Sequence, residues 1–377
     1  MHCPHFEAHR CRSCSLLETP YDAQLAAKEQ QVRALLPPAA LEWLPSVRSA
    51  EGGFRNKAKM AVAGSVDAPV LGILDAQGQG VALGDCALYP PAMQAMFPVL
   101  ARFITAAKLE PYALATRRGE LKYLLLTMAP DSGEALLRFV TRSQEPLARI
   151  RKHLPALLAE LPALRVVSLN VQPEHKAVLE GEQEILLTEA DTLTMRVNGL
   201  PLHLGPQSFF QTNSAVAAAL YATAREWAQG LAPASAWDLY CGVGGFALHI
   251  AAAARSVVGI ESSAQAIASA RRSATESGCG HVRFEQGDAT AFARAQAHWP
   301  DLVVVNPPRR GIGAELAQAL ERGATTHVIY SSCNAESLAR DLAHMPSLQP
   351  RRARLLDMFP HTAHYEVIVL LERKSAS

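Results

Sequence analysis

The sequence predicts an α/β domain built on a parallel sheet, preceded by a smaller α+β domain. In residues 201–377, apolar runs such as "DLVVVN" and "THVIYS" alternate with helix-like segments such as "AQAIASARRSATESG". This alternation is typical of parallel strands joined by crossover helices. The chain ends in two strand-like runs joined by "HTA", which favours an antiparallel return at the sheet edge.

Residues 1–200 have a different pattern. Helix-like stretches lie near residues 21–36, 92–108 and 145–161, with strand-like runs around them. The strand-like runs are "AKMAVAG", "VLGILD", "LKYLLLTM", "ALLRFVTR" and "RVVSLNVQ". We therefore expect residues 1–200 to form the α+β domain and residues 201–377 the α/β domain.

Composition limits the possible functions. The chain has 377 residues, of which 49% are hydrophobic, and 36 basic residues against 35 acidic ones. Any affinity for nucleic acid must therefore come from local patches. No apolar run reaches membrane-spanning length and no secretory leader is evident. We expect a cytoplasmic, monomeric protein with no membrane contact. Its seven cysteines are not expected to form a disulfide framework, and the clustered ones are expected to form metal or catalytic sites.

The segment "DLYCGVGGFALHI" follows a strand-like run and opens a helix-like one. Gly242 and Gly244 would let the backbone approach a ligand at the helix N-terminus, and Glu261 ends the next strand, where a carboxylate accepts ribose hydroxyls. An adenosine compound is the expected ligand. The alternative is a tight turn followed by an ordinary surface acid.

Two further acids bear on the choice of cofactor. Asp238 lies in the glycine turn, where an acid suits the cationic ammonium of S-adenosylmethionine better than the pyrophosphate of a dinucleotide. Asp288 follows the third strand and is expected either to meet the adenine amino group or to serve only as a helix N-terminal acid. S-adenosylmethionine is therefore favoured over NAD.

The fourth strand ends in "VVVNPPRRG", where prolines fix the chain and can present Asn306 to a ligand. Methyltransferases of exocyclic amines carry an aromatic residue after a related Asn-Pro-Pro. Here the next residue is Arg309, which argues against amine methylation.

Cys333, in "YSSCNAESL", follows the next strand, so its thiol should face the same cleft. Asn334 can cap a helix there, and the helix dipole is expected to lower the thiol pKa from about 8.5. Such a thiolate could attack carbon 6 of a pyrimidine and so activate carbon 5 for methylation. The alternative is a buried structural thiol.

Glu366 begins the otherwise apolar last strand. A partly shielded carboxylate there is expected to have a raised pKa, which suits a general base that removes the proton from carbon 5. The alternative is a strand-edge glutamate.

Six motifs in order resemble the RNA uracil-carbon-5 methyltransferase family: "QSFFQTN", "DLYCGVGGF", "GIE", "NPPRRG", "YSSCN" and "DMFPHTAHYE". The resemblance implies a Rossmann-like class I S-adenosylmethionine-dependent methyltransferase domain, with Cys333 as the nucleophile and Glu366 as the base. It implies cofactor contacts for Gln211, Tyr240, Glu261 and Asn306. Phe209 and Phe210 become candidates to stack on an extruded uracil, or to pack in the interior. Many members carry aspartate at the position of Asn306.

Cys3, Cys11 and Cys14 form C-x7-C-x2-C, and Cys86 could supply a fourth ligand. Four thiolates suit zinc or an iron–sulfur cluster equally well. The pattern resembles the iron–sulfur site of the 23S ribosomal RNA members, which implies a 4Fe-4S cluster; a zinc site shared with His2, His5 or His9 is the alternative. Cys241 and Cys279 are expected to be structural.

The same cysteines distinguish branches of the family. Transfer-RNA members lack them, and another ribosomal branch places a TRAM domain before them, for which Cys3 leaves no room. The resemblance therefore implies a 23S ribosomal RNA enzyme of the short form. The alternatives are a transfer-RNA uracil methyltransferase and a non-catalytic iron–sulfur RNA-binding protein.

Two basic clusters in residues 1–200 are candidate RNA contacts. Arg55, Lys57 and Lys59 alternate along "GFRNKAKM" and would share one face of a strand. The second cluster is Arg117, Arg118 and Lys122. Each is by default a solvated surface, but together they favour RNA binding. The target uracil is expected in a loop, because unpaired bases are most easily extruded.

Overall fold

The computed structural model of the chain describes residues 1–36, 41–176 and 178–374. The strands are β1 (Glu42–Trp43), β2 (Lys57–Gly64), β3 (Pro69–Leu74), β4 (Gly80–Ala82), β5 (Leu121–Met128), β6 (Ala135–Thr141), β7 (Leu164–Val171), β8 (Gln183–Leu186), β9 (Leu193–Val197), β10 (Leu200–Leu204), β11 (Ser235–Leu239), β12 (Ser256–Glu261), β13 (Val282–Gln286), β14 (Leu302–Val305), β15 (His327–Ser332), β16 (Leu348–Leu356) and β17 (Glu366–Arg373). The helices are α1 (Pro4–Glu7), α2 (Tyr21–Leu35), α3 (Pro91–Gln94), α4 (Met96–Ala106), α5 (Leu147–Glu160), α6 (Ser214–Leu231), α7 (Gly245–Ile250), α8 (Ala264–Glu276), α9 (Ala289–Ala295), α10 (Gly313–Arg322) and α11 (Ala335–Ala343), with a 3-10 turn at Ala251–Ala253.

The chain divides into two compact units. The first comprises residues 1–14, 51–195 and 205–207, and the second comprises residues 15–50, 196–204 and those from 208 onward. The segment 15–50 thus groups with the second unit, although the sequence places it before residue 200. The reason is packing, because Leu25 and Val32 of α2 are buried in the core of the second unit.

An eight-stranded sheet organises the second unit, in the order β1-β16-β17-β15-β14-β11-β12-β13. Strands β11 to β15 pair in parallel, as the sequence predicts. The four residues of β14 are all fully buried, which accounts for its continuous apolar run. Strand β17 runs antiparallel to both β15 and β16, so the expected antiparallel return is present, but it lies inside the sheet.

Side-chain caps begin several helices of this unit. Asn213 caps α6, Ser263 caps α8, Asp288 caps α9 and Asn334 caps α11, each accepting a backbone N–H of the first turn. Three of these helices follow directly on β12, β13 and β15. The carboxyl ends of the parallel strands and these helix starts therefore meet at one edge of the sheet, where ligands bind in open α/β sheets.

The first unit is built on a seven-stranded sheet in the order β4-β3-β2-β5-β6-β7-β8. Its pairings are antiparallel except for β6 with β7. Apolar residues of α4 and α5 share one core with the sheet, including Leu100, Ile104, Ile150 and Leu154. The unit thus combines helices with a largely antiparallel sheet, but its bounds differ from the expected residues 1–200. Among the described residues, no helix has the length and apolar character needed to cross a bilayer.

Candidate active site

Five predicted site residues lie at the carboxyl edge of the parallel strands. Asp238 is in β11, Glu261 ends β12, Asn306 follows β14 and Cys333 follows β15. Glu366 begins β17, which runs antiparallel to β15 with Ser332 opposite Val367. One position further along this register places Glu366 across from Cys333. The proposed nucleophile and base therefore come from neighbouring strands.

The glycine turn after β11 has the backbone conformation that close approach of a ligand requires. Gly242 and Gly244 have φ of 53° and 88°, and Tyr240 also has a positive φ, 67°. A Cβ on Gly244 would lie 2.8 Å from the Phe284 ring, whereas a Cβ on Gly242 would meet nothing within 4 Å. Gly244 therefore serves internal packing, and the space beside Gly242 is open to a ligand.

Asp238 is fully buried. Its Oδ2 accepts the N–H of Ala247 at 2.8 Å, but the structure gives Oδ1 no hydrogen-bond partner among the described residues. Burial raises the pKa of this carboxyl to about 8. An unpartnered buried acceptor next to the glycine turn fits the ammonium group of S-adenosylmethionine, as the sequence predicts.

Glu261 is held by three donors. Its carboxylate accepts the N–H of Gly242 at 3.3 Å, the Ser262 hydroxyl at 2.9 Å and the N–H of Ser263 at 3.0 Å. The acid expected to bind ribose is thus tied to the glycine turn, and its position is fixed before a ligand arrives.

Asp288 has the helix-terminal role that the sequence offered as one alternative. Its Oδ1 accepts the N–H of Ala291 at 2.8 Å. The same residue also lines a cavity of about 450 Å³ together with Thr290, Arg294 and Ile312. Capping and contact with adenine are compatible, so the adenine contact stays a prediction.

Three further residues are expected to contact the cofactor, and they differ in exposure. Gln211 is buried and Asn306 is half-buried. Tyr240, already noted in the turn, is half-buried, and Thr290 hydrogen-bonds its hydroxyl. The ligand contacts of all three stay predictions.

Sequence reasoning missed the residues that anchor the loop after Asn306. Asp341 of α11 accepts the N–H groups of Ile312 at 2.9 Å and Gly313 at 3.2 Å, and the Tyr330 hydroxyl at 2.6 Å. Gly311 has a φ of 87°, and a Cβ there would lie 2.3 Å from Oδ2 of Asp341. The signal in the sequence was an aspartate on the apolar face of α11, three residues after the buried Leu338.

The expectation that the helix lowers the pKa of Cys333 is wrong. Asn334 does cap α11, accepting the N–H of Glu336 at 3.1 Å. Burial nevertheless raises the pKa of the half-buried Cys333 thiol, and the charge of Glu366 raises it further, while Arg309 opposes both. Loss of hydration is the largest cause of this shift, so at neutral pH the free site holds a thiol rather than a thiolate.

Glu366 has the raised pKa expected for a shielded carboxylate. The residue is 2% exposed, and burial raises its pKa to about 7. The Ser331 hydroxyl donates a hydrogen bond to Oε1, which favours the carboxylate and limits the shift. Near neutral pH the group can therefore both accept and return a proton.

The structure distinguishes the two phenylalanines that the sequence left equivalent. Phe209 is 74% exposed, whereas Phe210 is 7% exposed. Interior packing therefore accounts for Phe210. Phe209 alone of the pair has a ring face free for a substrate base.

The four N-terminal cysteines lie together in the first unit. Cys3, Cys11, Cys14 and Cys86 line one cavity of about 150 Å³. Burial, followed by the neighbouring thiols, raises the pKa of Cys14 to about 11. In the part of the chain that the structure describes, no three His, Cys, Asp or Glu side chains are grouped so that they could hold a single metal ion.

The histidines considered for a mixed zinc site have other partners. His5 hydrogen-bonds Asp85 at 2.6 Å, His2 pairs with Glu7 at 2.6 Å, and His9 contacts Arg12. Of the other two cysteines, Cys241 is buried and Cys279 is half-buried. His5 lines the cavity together with the four cysteines, and its Nδ1 has no hydrogen-bond partner among the described residues.

The basic clusters are only partly as predicted. Lys57 and Lys59 alternate with the buried Ala58 and Met60 along β2, so these two share a face as predicted. Arg55 precedes the strand, and contact of the cluster with RNA stays a prediction. Arg55 and Lys59 also line the four-cysteine cavity, where their charges suit an anionic group.

In the second cluster, Arg117 and Arg118 are exposed. The prediction for Lys122 is wrong, because this side chain is 7% exposed and donates to the carbonyl oxygens of Gln172 at 2.8 Å and Glu174 at 2.7 Å. The internal acceptors satisfy its charge, so it is not available to a phosphate.

The parallel sheet, the glycine turn after β11 and the acid ending β12 define the class I S-adenosylmethionine-dependent methyltransferases. The model of the tRNA (Uracil-5-)-methyltransferase family matches residues 20–374, and the chain belongs to this family. It is similar to the Pyrococcus abyssi tRNA (uracil-54, C5)-methyltransferase solved with S-adenosyl-L-homocysteine, with a TM-score of 0.78 and 26% identity over 95% of this chain and 85% of that one.

Two curated relatives match over their whole length. The 23S rRNA (uracil(747)-C(5))-methyltransferase RlmC of Pectobacterium atrosepticum is 54% identical over 374 residues, which cover 99% of this chain and 100% of that protein. The protein of the same name from Edwardsiella ictaluri is 52% identical over 377 residues, which cover 100% of both chains.

The buried carboxyl of Glu366 predicts a pH-dependent stability difference. Its pKa in the folded protein, about 7, exceeds the ordinary value of about 4.5, so its contribution to stability is present at low pH and is lost as the pH rises from about 4.5 to 7. Glu366→Gln should therefore gain about 3 kcal/mol relative to the wild type between pH 4.5 and 8.

Urea denaturation of both proteins across this range measures the difference. Asp238 also titrates in this range, but it does so in both proteins, so its contribution cancels in the difference between their free energies of unfolding. An equal difference at both ends of the range would contradict the raised pKa.

Proposed function

We propose that the protein transfers a methyl group from S-adenosylmethionine to carbon 5 of a uracil in 23S ribosomal RNA. The observation that carries the proposal is the pairing of β15 with β17, which brings the Cys333 thiol and the buried Glu366 carboxyl together. The open space beside Gly242 and the unpartnered Oδ1 of Asp238 support a cofactor site at the same sheet edge.

In the proposed first step, the Cys333 sulfur forms a bond to carbon 6 of the uracil. The electrons of the carbon 5–carbon 6 double bond move toward the carbonyl at carbon 4, so that carbon 5 becomes nucleophilic. S-adenosylmethionine, when bound, would supply the electrophilic methyl group: the bond from that methyl to the sulfonium sulfur breaks as the bond to carbon 5 forms, which leaves S-adenosylhomocysteine. Because the free thiol is protonated, its proton must pass to solvent before the sulfur attacks, and Arg309 is the cation whose charge favours the resulting thiolate.

In the second step, Glu366 removes the proton from carbon 5. The electron pair of that C–H bond re-forms the carbon 5–carbon 6 double bond, and the Cys333 sulfur leaves as a thiolate. The base must be ionised to act, and its pKa of about 7 keeps a large carboxylate fraction near neutral pH. Ser331 occupies Oε1, so Oε2 is the oxygen left for the substrate proton.

The proposed substrate follows from the relatives. Identity is 52–54% to the 23S ribosomal RNA enzymes and 26% to the transfer-RNA enzyme of known structure, which favours ribosomal RNA. We place the target uracil in a loop, because extruding an unpaired base costs least. The enzyme would then act as a monomer in the cytoplasm, where its substrate is found.

Trapping tests both mechanism and substrate. A 23S ribosomal RNA fragment spanning the position of uracil 747, with 5-fluorouracil at the target, should remain covalently bound in the presence of S-adenosylmethionine, because fluorine cannot leave as a proton does. Cys333→Ala should form no adduct. With ordinary uracil, Glu366→Gln should methylate the fragment but release it about 10²- to 10⁴-fold more slowly.

Denaturing gel electrophoresis of labelled RNA measures the adduct. A fluorinated transfer-RNA transcript is the matched comparison. An adduct on that transcript and none on the ribosomal fragment would assign the enzyme to transfer RNA, and no adduct on either would overturn the proposed function.

We further propose that Cys3, Cys11, Cys14 and Cys86 hold a 4Fe-4S cluster. Their thiols share one cavity with Arg55 and Lys59, whose positive charges would balance a cluster ligated by four thiolates. Around a single zinc ion, four sulfurs at about 2.3 Å from the metal lie only about 3.8 Å apart. A cubane cluster holds its four ligands further apart, so the two kinds of site require different spacings of the sulfurs.

Metal analysis tests this proposal. Protein purified without oxygen should be brown and contain iron and inorganic sulfide in equal amounts, and Cys14→Ser should lose both. Cys279→Ser, a change outside the cavity, is the control and should keep them. Stoichiometric zinc without sulfide would contradict the cluster.

The exposed ring of Phe209 predicts a substrate contact. Phe209→Ala should raise KM for the RNA by about 5- to 150-fold, because stacking on one base contributes about 1–3 kcal/mol. Phe209→Trp should retain binding. Phe210→Ala, the matched buried change, should instead lower the free energy of unfolding by about 3–5 kcal/mol.

Steady-state kinetics and urea denaturation of the three variants separate the two roles. An unchanged KM in Phe209→Ala would remove this residue from the substrate site.

A further inference from the structure

Helix α2 holds the turn that leads into Glu366. We infer that Gln24 and Lys28 of α2 are positioning residues for this base: they fix the segment 357–361, through which the chain enters β17. The inference rests on the proposed function, because it concerns the residue that would remove the carbon 5 proton.

The first contact is a buried ion pair. The Nζ of Lys28 lies 2.6 Å from Oδ1 of Asp357, and the two side chains are 2% and 0% exposed. Lys28 also donates to the carbonyl oxygen of Phe359 at 3.2 Å. Charged side chains are almost never buried unless they are paired. One ammonium group thus ties α2 to two positions of the segment.

The second contact is made by Gln24, which is 1% exposed. Its Oε1 accepts the N–H of His361 at 2.8 Å, and its Nε2 donates to the carbonyl oxygens of Leu16 at 3.0 Å and Thr19 at 2.8 Å. The backbone N–H of Leu16 in turn donates to the carbonyl oxygen of His361 at 2.9 Å. The main chain of His361 is therefore held on both its donor and its acceptor.

His361 has a φ of 64°. This left-handed conformation is uncommon for a residue other than glycine and persists only where surrounding contacts impose it. The bonds from Gln24 and Leu16 are those contacts. The main chain is thus held in an unfavourable conformation at His361, five residues before Glu366. This suggests that the position of the Glu366 carboxyl must be set accurately.

Further hydrogen bonds hold the chain between His361 and Glu366 and just before it. Met358 accepts from the side chain of Asn213 at 3.3 Å. The Thr362 hydroxyl donates to the carbonyl oxygen of Phe359 at 2.8 Å and accepts the N–H of His364 at 3.2 Å. The path from Asp357 to the base therefore contains no long unbonded stretch. Ser331 then fixes the carboxylate itself.

The reaction offers a way to separate positioning from general stability. Bond formation by Cys333 and methyl transfer do not need Glu366, whereas release of the methylated RNA does. If α2 positions the base, loosening the segment should slow release and leave adduct formation unchanged. If α2 only stabilises the fold, both steps should change together or neither should change.

Gln24→Met is the first variant, because it keeps the side-chain volume, removes the hydrogen bonds and leaves no buried charge unpaired. With ordinary uracil RNA it should accumulate covalently bound, methylated RNA and turn over about 10- to 100-fold more slowly. The rate of adduct formation with 5-fluorouracil RNA should equal that of the wild type. Gln31→Met, at an exposed position of the same helix, is the matched control and should behave as the wild type in both assays.

Lys28→Arg gives a second test should Gln24→Met fail to fold. It retains the charge but places a larger, planar guanidinium where the compact Nζ makes its two contacts, so the geometry of the segment should shift and the same selective loss of release is expected. Unchanged turnover, or equal loss of adduct formation and release together with a lower Tm, would overturn the inference. Wild-type protein that forms no adduct at all would instead refute the proposed function, whatever the variants do.

Discussion

The antiparallel pairing of β17 with β15 is the constraint on which the site depends. It places the first residue of β17 opposite the residue that follows the end of β15. Had β17 run parallel to β15, Glu366 would begin at the opposite edge of the sheet, about 20 Å away over a six-residue strand. The reversal of one strand thus brings a carboxyl from near the C-terminus beside the Cys333 thiol.

Burial sets the chemistry of the groups so assembled. Loss of hydration raises the pKa values of Asp238, Cys333 and Glu366 alike, so each of these three groups is harder to ionise in the free site than in water. Each charge that catalysis needs then depends on a specific partner. Ser331 supports the Glu366 carboxylate and Arg309 the thiolate, while Asp238 has an acceptor left for a cation. Bound cofactor and substrate would therefore supply the charges that the free site lacks.

The sequence predicted the sheet-edge residues because strand ends are local features that converge in a parallel sheet. The sign of the Cys333 shift could not be predicted, since it depends on how deeply other segments cover the thiol. The Asp341 anchor and the burial of Lys122 were missed for the same reason: their partners are distant in sequence. Phe209 and Phe210 show most simply what the sequence could not predict. They are identical neighbours in the chain, and only the fold decides that Phe210 is covered and Phe209 exposed.

The position of α2 against the second unit's sheet is also supported by a buried charge and its partner. Asp357 is fully buried beside the strand that carries the base, and Lys28 is the cation that compensates it. Without α2 that carboxylate would be buried with no counter-charge, a far less favourable state than the pair. The second unit is therefore discontinuous in sequence. Besides the apolar packing of Leu25 and Val32, α2 brings the cation that pairs with the buried acid beside the last strand.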